Sequence, residues 1–335
     1  MNPVNRCLTL CIASLALSSC KDVTPPAQTP AAKISVDLGN KTDADRIAAN
    51  AYQHTKQILS FGHRQPASAG LRKSKDYVIT ELKKHGWNTQ EQSLTANTPL
   101  GNIKYSNLIA RYAPTANNSP WRKSVSGVIG AHIDSKIQPN FLGADDAASC
   151  VATLLALAEH LHTKHPSVAN QLELVFFDGE ESVGINMEGH RSFAPNSKRD
   201  GLFGSYHYSR AVRSSTIDKL HPYRKTPQFG IVLDMIGHEN LNIKIPSDTP
   251  KNLRRSYTSA SKKLGLEKHF SYAQGPILDD HYYMNEIANI PTIDIIGDFS
   301  QNKWWHTSAD NIDIISEESL SMSIQMTLEI LSNQL

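Results

Sequence analysis

Gln171-Leu172-Glu173-Leu174-Val175-Phe176-Phe177 runs directly into Asp178-Gly179-Glu180-Glu181. An apolar run of strand length without regular polar alternation marks a strand covered on both faces, and here its carboxyl end delivers two adjacent carboxylates. Glutamates after a strand can simply be solvated. A carboxylate held at the mouth of a core strand, however, needs a partner or a proton, because unpaired burial of its charge is costly, and a metal ion is one such partner.

Working outward, further strand candidates are Ile103–Tyr112, Ser126–Ile133, Phe229–Ile236 and Pro291–Ile296, several of them continuous apolar runs. Between them lie helical patterns. Thr42 to Asp45 offers a capping-box start for a helix using Ile47, Ala51, Ile58 and Leu59; a second helix uses Leu71, Val78 and Leu82 and stops at Gly86. Ala147–His162 forms a third, Thr249-Pro250 opens another that ends at Gly265, and Glu317–Leu331 is the last. This alternation predicts an α/β fold: a three-layer αβα sandwich with a mostly parallel central sheet, formed by one catalytic domain over residues 42–335, with sites at the carboxyl ends of strands. Residues 182–227 are polar and aperiodic, and read as an insertion near the site.

The 34 basic and 32 acidic residues leave a formal charge of +2, spread along the chain, so no nucleic-acid partner is expected. The amino-terminal end reads differently. A short polar, basic start, Asn2 to Arg6, precedes the apolar Leu8–Leu17, which is too short to span a bilayer. Leu17-Ser18-Ser19-Cys20 then resembles the lipobox of bacterial lipoproteins. That resemblance implies a signal peptide over 1–19, lipid on Cys20, attachment to a membrane, and a place in the cell envelope facing the periplasm or the exterior; an ordinary secretory signal cut elsewhere is the alternative. Residues 20–41, with Pro25, Pro26 and Pro30, read as a tether. Cys7 and Cys11 lie in the signal, so Cys150 stands alone and reads as a small core residue.

Five positions that follow strands carry ligand-type side chains: His132, Asp145, Glu181, Asp234 and His306. Each has an ordinary explanation by itself, and Asp146, beside Asp145, reads as a helix N-cap. Together, two imidazoles and three carboxylates suit zinc, with one carboxylate free to bridge two ions. Asp134, two residues after His132, can orient that imidazole, and Glu180, beside a ligand but not needed as one, can act as general base or acid.

These residues, in this order, resemble the zinc aminopeptidases and glutaminyl cyclases, which share one αβα fold; the resemblance covers roughly Phe61 to the carboxyl terminus. It implies one or two zinc ions on His132, Asp145, Glu181, Asp234 and His306, Glu180 as proton carrier, Asp134 behind the first histidine, and peptide or protein N-termini as substrate. Thr98-Pro99-Leu100-Gly101, His132-Ile133-Asp134-Ser135-Lys136, Leu202-Phe203-Gly204-Ser205, Asp279-Asp280-His281 and Trp305-His306-Thr307 look like the cyclase side. On that resemblance Asp279 helps hold the substrate amide, Trp305 supplies a flat wall unless it is plain core packing, and Lys136 joins the substrate-binding set. Two departures stand out. The tryptophan that cyclases carry shortly after the second glutamate is missing from Ser182-Val183-Gly184-Ile185-Asn186, and Asp145-Asp146 is the aminopeptidase-style doublet. The expected function is cyclisation of N-terminal glutamine to pyroglutamate with release of ammonia. The alternatives are a zinc aminopeptidase and an inactive binding lipoprotein, the last disfavoured by the intact Glu180 and ligand positions.

Overall fold

The structure, a computed structural model, describes residues 36–115, 119–184, 186–187, 199–217, 225–300 and 303–335. The expected signal peptide, Cys20 and most of the tether lie outside the described residues. Helices α1 (Lys41–Leu59) and α2 (Ala69–Lys84) precede strands β1 (Trp87–Thr98) and β2 (Gly101–Tyr112). The chain continues through β3 (Gly127–His132), α3 (Ser149–Lys164), the single turn α4 (Pro166–Ala169), β4 (Leu172–Phe177), α5 (Phe203–Ile217) and β5 (Phe229–Asp234). Then follow β6 (Ile243–Ile245), α6 (Lys251–Leu264), β7 (Phe270–Tyr272), α7 (His281–Glu286), β8 (Thr292–Ile296) and α8 (Glu317–Gln334).

Six strands form one sheet in the order β1-β2-β4-β3-β5-β8, and β6 and β7 form a separate parallel pair. Strands β4, β3, β5 and β8 are mutually parallel, while β1 and β2 make an antiparallel hairpin at one edge that meets β4 antiparallel. Every residue of the four parallel strands is buried, as their apolar runs require. Alternate side chains divide between two cores. Ile129, Ala131, Leu174, Phe176, Ile231 and Leu233 join the core built with α1, α3 and α8, whereas Val128, Val175, Phe177 and Val232 face Tyr208 and Val212 of α5 and Met284 of α7. Helices therefore cover both faces, which makes the three layers. Glu173, the charged residue inside β4, is wholly buried; its carboxylate meets Arg111 Nε at 2.6 Å and accepts from the Tyr208 hydroxyl at 2.6 Å.

Several expectations shift. α1 begins at Lys41 because the Asn40 side chain, not Thr42, caps it: Asn40 accepts from the Asp43 N–H and the Asp43 carboxylate accepts from the Asn40 N–H. The end of the expected tether is part of the fold, with Leu38 buried and its carbonyl 2.7 Å from His160 Nε2. β1 has no counterpart among the expected strands, because its mostly polar sequence is half-exposed on the sheet edge. The stretch read as an aperiodic insertion contains α5, which supplies the second helical layer. α3 begins at Ser149 rather than Ala147, since Asp146 and Ala147 take non-helical backbone angles (φ −106°, ψ 81° and φ −130°, ψ 40°). That kink bears on the site.

Candidate active site

The parallel register sets His132, the last residue of β3, level with Phe177, the last of β4, so the turn Asp178–Glu181 emerges beside the imidazole. Gly179 turns that corner with φ +78°, and a Cβ there would come within 2.7 Å of the Tyr105 ring. Asp234 ends β5, and the loop after β8 brings Trp305 and His306. Met235 and His306 both adopt left-handed backbone angles (φ 51° and 55°), a conformation that costs non-glycine residues energy and often accompanies functional geometry.

Two groups of ligand-type atoms result, and Asp146 belongs to both: His132, Asp146 and Asp234 in one, Asp146, Glu181 and His306 in the other. His132 Nε2 lies 3.0 Å from Asp146 Oδ1 and 3.4 Å from Asp234 Oδ1. His306 Nε2 lies 3.3 Å from Asp146 Oδ2 and 3.5 Å from Glu181 Oε2. Asp146 rather than the expected Asp145 thus faces this cluster, and neither aspartate caps α3, whose first turn has no side-chain cap. The kink turns Asp146 into the cluster, while Asp145 Oδ1 accepts from the Gly237 N–H at 2.7 Å and the Ser149 hydroxyl at 3.0 Å. His132, Glu181, Asp234 and His306 do converge as a set.

Buried carboxylates brace this cluster from behind. Asp134 accepts from the backbone N–H groups of Glu180 and Glu181, each at 3.2 Å, and stands 3.6 Å from His132 Nδ1. Asp310 accepts from the N–H groups of Asp145 at 2.7 Å and Asp146 at 3.2 Å. Lys136 donates to the Ser182 carbonyl and hydroxyl and lies 3.7 Å from Glu181 Oε2, so its ammonium is engaged by protein partners, while the residue also lines the cavity beside the cluster.

The electrostatics call for a cation. Burial works against protonation of His132, yet the carboxylates of Asp134, Asp146 and Asp234 outweigh it and hold the imidazole well above its usual range. Burial opposes the charged form of His306 too, but Asp146 and Glu181 push it up to about 9. Asp146 is held below the usual carboxylate range, against burial, by the two histidines. Burial drives Glu180, Glu181 and Asp234 up, and Asp145 up to about 7. Both ring nitrogens of His132, Oδ1 of Asp234 and Oε1 of Glu181 are buried without a hydrogen-bond partner among the described residues. A mixed nitrogen and oxygen set with orphaned buried atoms and surplus negative charge fits a divalent ion such as zinc.

Beside the cluster opens a cavity of about 290 Å³. Glu180 and Asp279 line it, with Met235, Ile277, Ile296, Phe299 and Trp305 as apolar wall. The Trp305 ring stacks on His306 with centroids 3.9 Å apart and packs 4.8 Å from Phe299, so it serves as wall and as support for the imidazole. Asn186 and Met187 line the side where cyclases were expected to carry tryptophan. Behind Asp279 sit His281 and Asp294, all buried, with His281 Nδ1 3.2 Å from Asp294 Oδ2. A larger groove of about 650 Å³ between α2 and the β1–β2 hairpin is lined by Arg72, Lys104 and His207 among others and holds none of the ligand-type groups.

A family model described as Peptidase family M28 matches residues 107–331. The chain belongs to peptidase family M28. Among its relatives, the glutaminyl-peptide cyclotransferase of Bos taurus is 26% identical over 301 residues, spanning 78% of this chain and 77% of the relative. Among solved structures, the Bacteroides thetaiotaomicron glutaminyl cyclase bound to N-acetylhistamine is 27% identical with a TM-score of 0.71, covering 85% of this chain and 97% of that one. A Zn-dependent exopeptidase from Parabacteroides distasonis is also 27% identical, with a TM-score of 0.68 and coverage of 89% and 99%. This M28 chain thus has the αβα fold of both cyclases and zinc exopeptidases.

Sequence reasoning passed over Asp146, Asp310 and Arg64. For Asp146 the signal was present in the Asp145-Asp146 doublet, but which carboxylate faces the site depends on a backbone kink. Asp310 sits in the polar stretch Thr307–Asn311 and Arg64 in the connection after α1, where no periodicity marks a buried charge.

Proposed function

We propose that this M28 protein is a zinc-dependent glutaminyl-peptide cyclotransferase acting on peptide N-termini. The observation that carries the reading is that two buried carboxyl groups outside the ligand-type cluster, Glu180 and Asp279, line a small, mainly apolar cavity whose only lining lysine or arginine, among the described residues, is the committed Lys136. Such a cavity suits a neutral amide side chain and an amine, not an acidic side chain. The glutaminyl cyclases among the relatives support it. His132, Asp146, Asp234, Glu181 and His306 would hold the metal, which when bound supplies Lewis-acid polarisation of the substrate carbonyl.

In this reading Asp279 and the Trp305 wall orient the glutamine side chain so that the α-amine faces its own γ-carbonyl, which makes the attack intramolecular. Glu180 accepts a proton from the α-amine as the new C–N bond forms and returns it to the departing amide nitrogen, which leaves as ammonia. Without a cation, burial, together with Glu181, Asp279 and Asp280 and against the pull of His132, raises the Glu180 carboxyl well above the usual range, the direction that favours holding a proton.

A second reading, an aminopeptidase, is favoured by Asp146 facing both ligand groups, the arrangement a pair of ions requires. Glu180 would then take the proton of an attacking water and pass it to the leaving amine. Gln-peptide and Leu-peptide substrates offered to the purified protein, with ammonia and free amino acid measured separately, divide the two: ammonia from the Gln-peptide is expected, and free leucine without ammonia would overturn the cyclase. We also propose lipid attachment at Cys20 and a place in the cell envelope. Labelling with a radioactive fatty acid is expected to be lost in Cys20→Ala, and retention of label would exclude that site.

A further inference from the structure

Arg64, in the connection between α1 and α2, is completely buried, and its side chain reaches two separate loops. Nε donates to the carbonyl of Ile133 at 3.0 Å, one residue after His132; Nη1 donates to Leu142 at 2.7 Å and Nη2 to Gly143 at 2.8 Å, just before Asp145-Asp146. Its backbone completes the clasp: the Arg64 N–H donates to the Ser135 hydroxyl at 3.1 Å, and the Arg64 carbonyl accepts from the Ser135 N–H at 3.2 Å. Gly143 itself leaves no space to shift, since a Cβ there would lie 2.1 Å from the Asp146 carbonyl oxygen and 3.1 Å from Arg64 Nη2.

Among the described residues no carboxylate lies within ion-pair distance of this guanidinium, although Asp310, Asp146, Asp134 and Glu181 surround it and offset the burial that works against its charge. Burying a cation against carbonyl oxygens alone is an expensive way to tie down a loop. The planar fork has a use that a lysine cannot supply, because its nitrogens diverge at fixed angles and can hold two chain segments at a set spacing. Those segments carry His132 and Asp146, whose side chains meet at 3.0 Å.

We propose that Arg64 is a positioning residue that fixes the distance between the His132 and Asp146 loops and thereby sets the affinity of the His132–Asp146–Asp234 group for a divalent ion. The inference rests on the reading of this cluster as a zinc site. Geometry and charge pull in opposite directions here: loss of the fork loosens the ligand spacing, while loss of a positive charge behind the acids strengthens their attraction for a cation.

Zinc titration of the metal-free full-length protein against a chromogenic chelator separates them, using Arg64→Lys, which keeps the charge, and Arg64→Met, which does not. Both are expected to weaken zinc binding by about 10–100-fold, the effect usual for partners just outside the ligands. The cobalt-substituted Arg64→Lys protein is expected to show a shifted visible spectrum, which a purely structural role would leave unchanged. Ser135→Ala, which removes one contact of the clasp and spares the guanidinium, is expected to weaken binding less; if the Arg64 variants do not fold, wild-type zinc affinity in Ser135→Ala overturns the proposal. Wild-type affinity in Arg64→Lys, or tighter binding in Arg64→Met, also overturns it. A wild-type protein that takes up no zinc sinks the metal-site reading instead, before any variant is compared.

Discussion

Glu180 and Glu181 are neighbours in sequence with the same side chain, and the backbone sends the two carboxyl groups to different surroundings. Both N–H groups point to Asp134, which fixes the turn, so the carboxyl groups diverge: Glu181 toward His306, Glu180 into the apolar-walled cavity. Glu180→Gln keeps shape and removes the proton acceptor. It is expected to retain metal content while turnover falls by about 10²–10⁴-fold; measurable loss of zinc would mean that Glu180 is a ligand. The neighbouring aspartates make a matched test. Asp146→Asn is expected to abolish tight zinc binding, because both ligand groups share that carboxylate. Asp145→Asn keeps an oxygen for the Gly237 N–H and is expected to cost only about 10-fold, the low end of the effect for partners just outside the ligands. Equal losses in a zinc titration would argue that both carboxylates reach the ion.

At the scale of elements, the buried Arg111–Glu173 pair joins β2 to β4, the strand that runs into the Asp178–Glu181 turn. Removing one partner leaves the other charge buried, so Arg111→Met is expected to lower unfolding free energy by roughly 3–5 kcal/mol, and the double variant Arg111→Met/Glu173→Leu to recover most of it. Denaturant titration checks both, and a single variant as stable as wild type would show the pair to be solvated. This element also marks how far the sequence was legible. β3, β4, β5 and β8 were readable because double-sided burial leaves apolar runs, and their carboxyl ends located His132, Glu181 and Asp234. β1 was not, because its pairing comes from the hairpin with β2 rather than from apolar side chains of its own. Asp146 was hidden by a backbone kink of two residues, and the bracing roles of Arg64 and Asp310 exist only once distant loops meet.

Across the whole molecule, the acidic interior ties stability to metal and to pH together. Without a cation, burial raises Glu180, Asp279, Asp294 and Asp310 well above the ordinary carboxylate range and Asp145 to about 7, and His306 is held at about 9 by Asp146 and Glu181 despite burial. These groups therefore hold protons in the folded metal-free chain that the unfolded chain has released, up to about pH 9. Where the native state binds more protons, stability falls as pH rises. The raised histidines act in the same direction, their contribution being fully present below the unfolded value and lost through the folded one. Asp146, held low, contributes the opposite slope only in acid, and His54, His85, His160, His207, His238 and His281, held low by burial, oppose the fall below the ordinary imidazole value, so the net fall is expected above about pH 7. A bound divalent ion favours the ionised carboxylates and neutral imidazoles and so replaces those protons. Chelator-treated protein is expected to melt at progressively lower temperature from about pH 7 to pH 9, whereas zinc-loaded protein changes little, so the gap between their melting curves widens with pH over that range. At a free zinc concentration near 1,000 times the dissociation constant, the stabilisation from binding alone is about 4 kcal/mol. A gap that stays constant across that range would mean that protons and metal do not compete for the same buried groups.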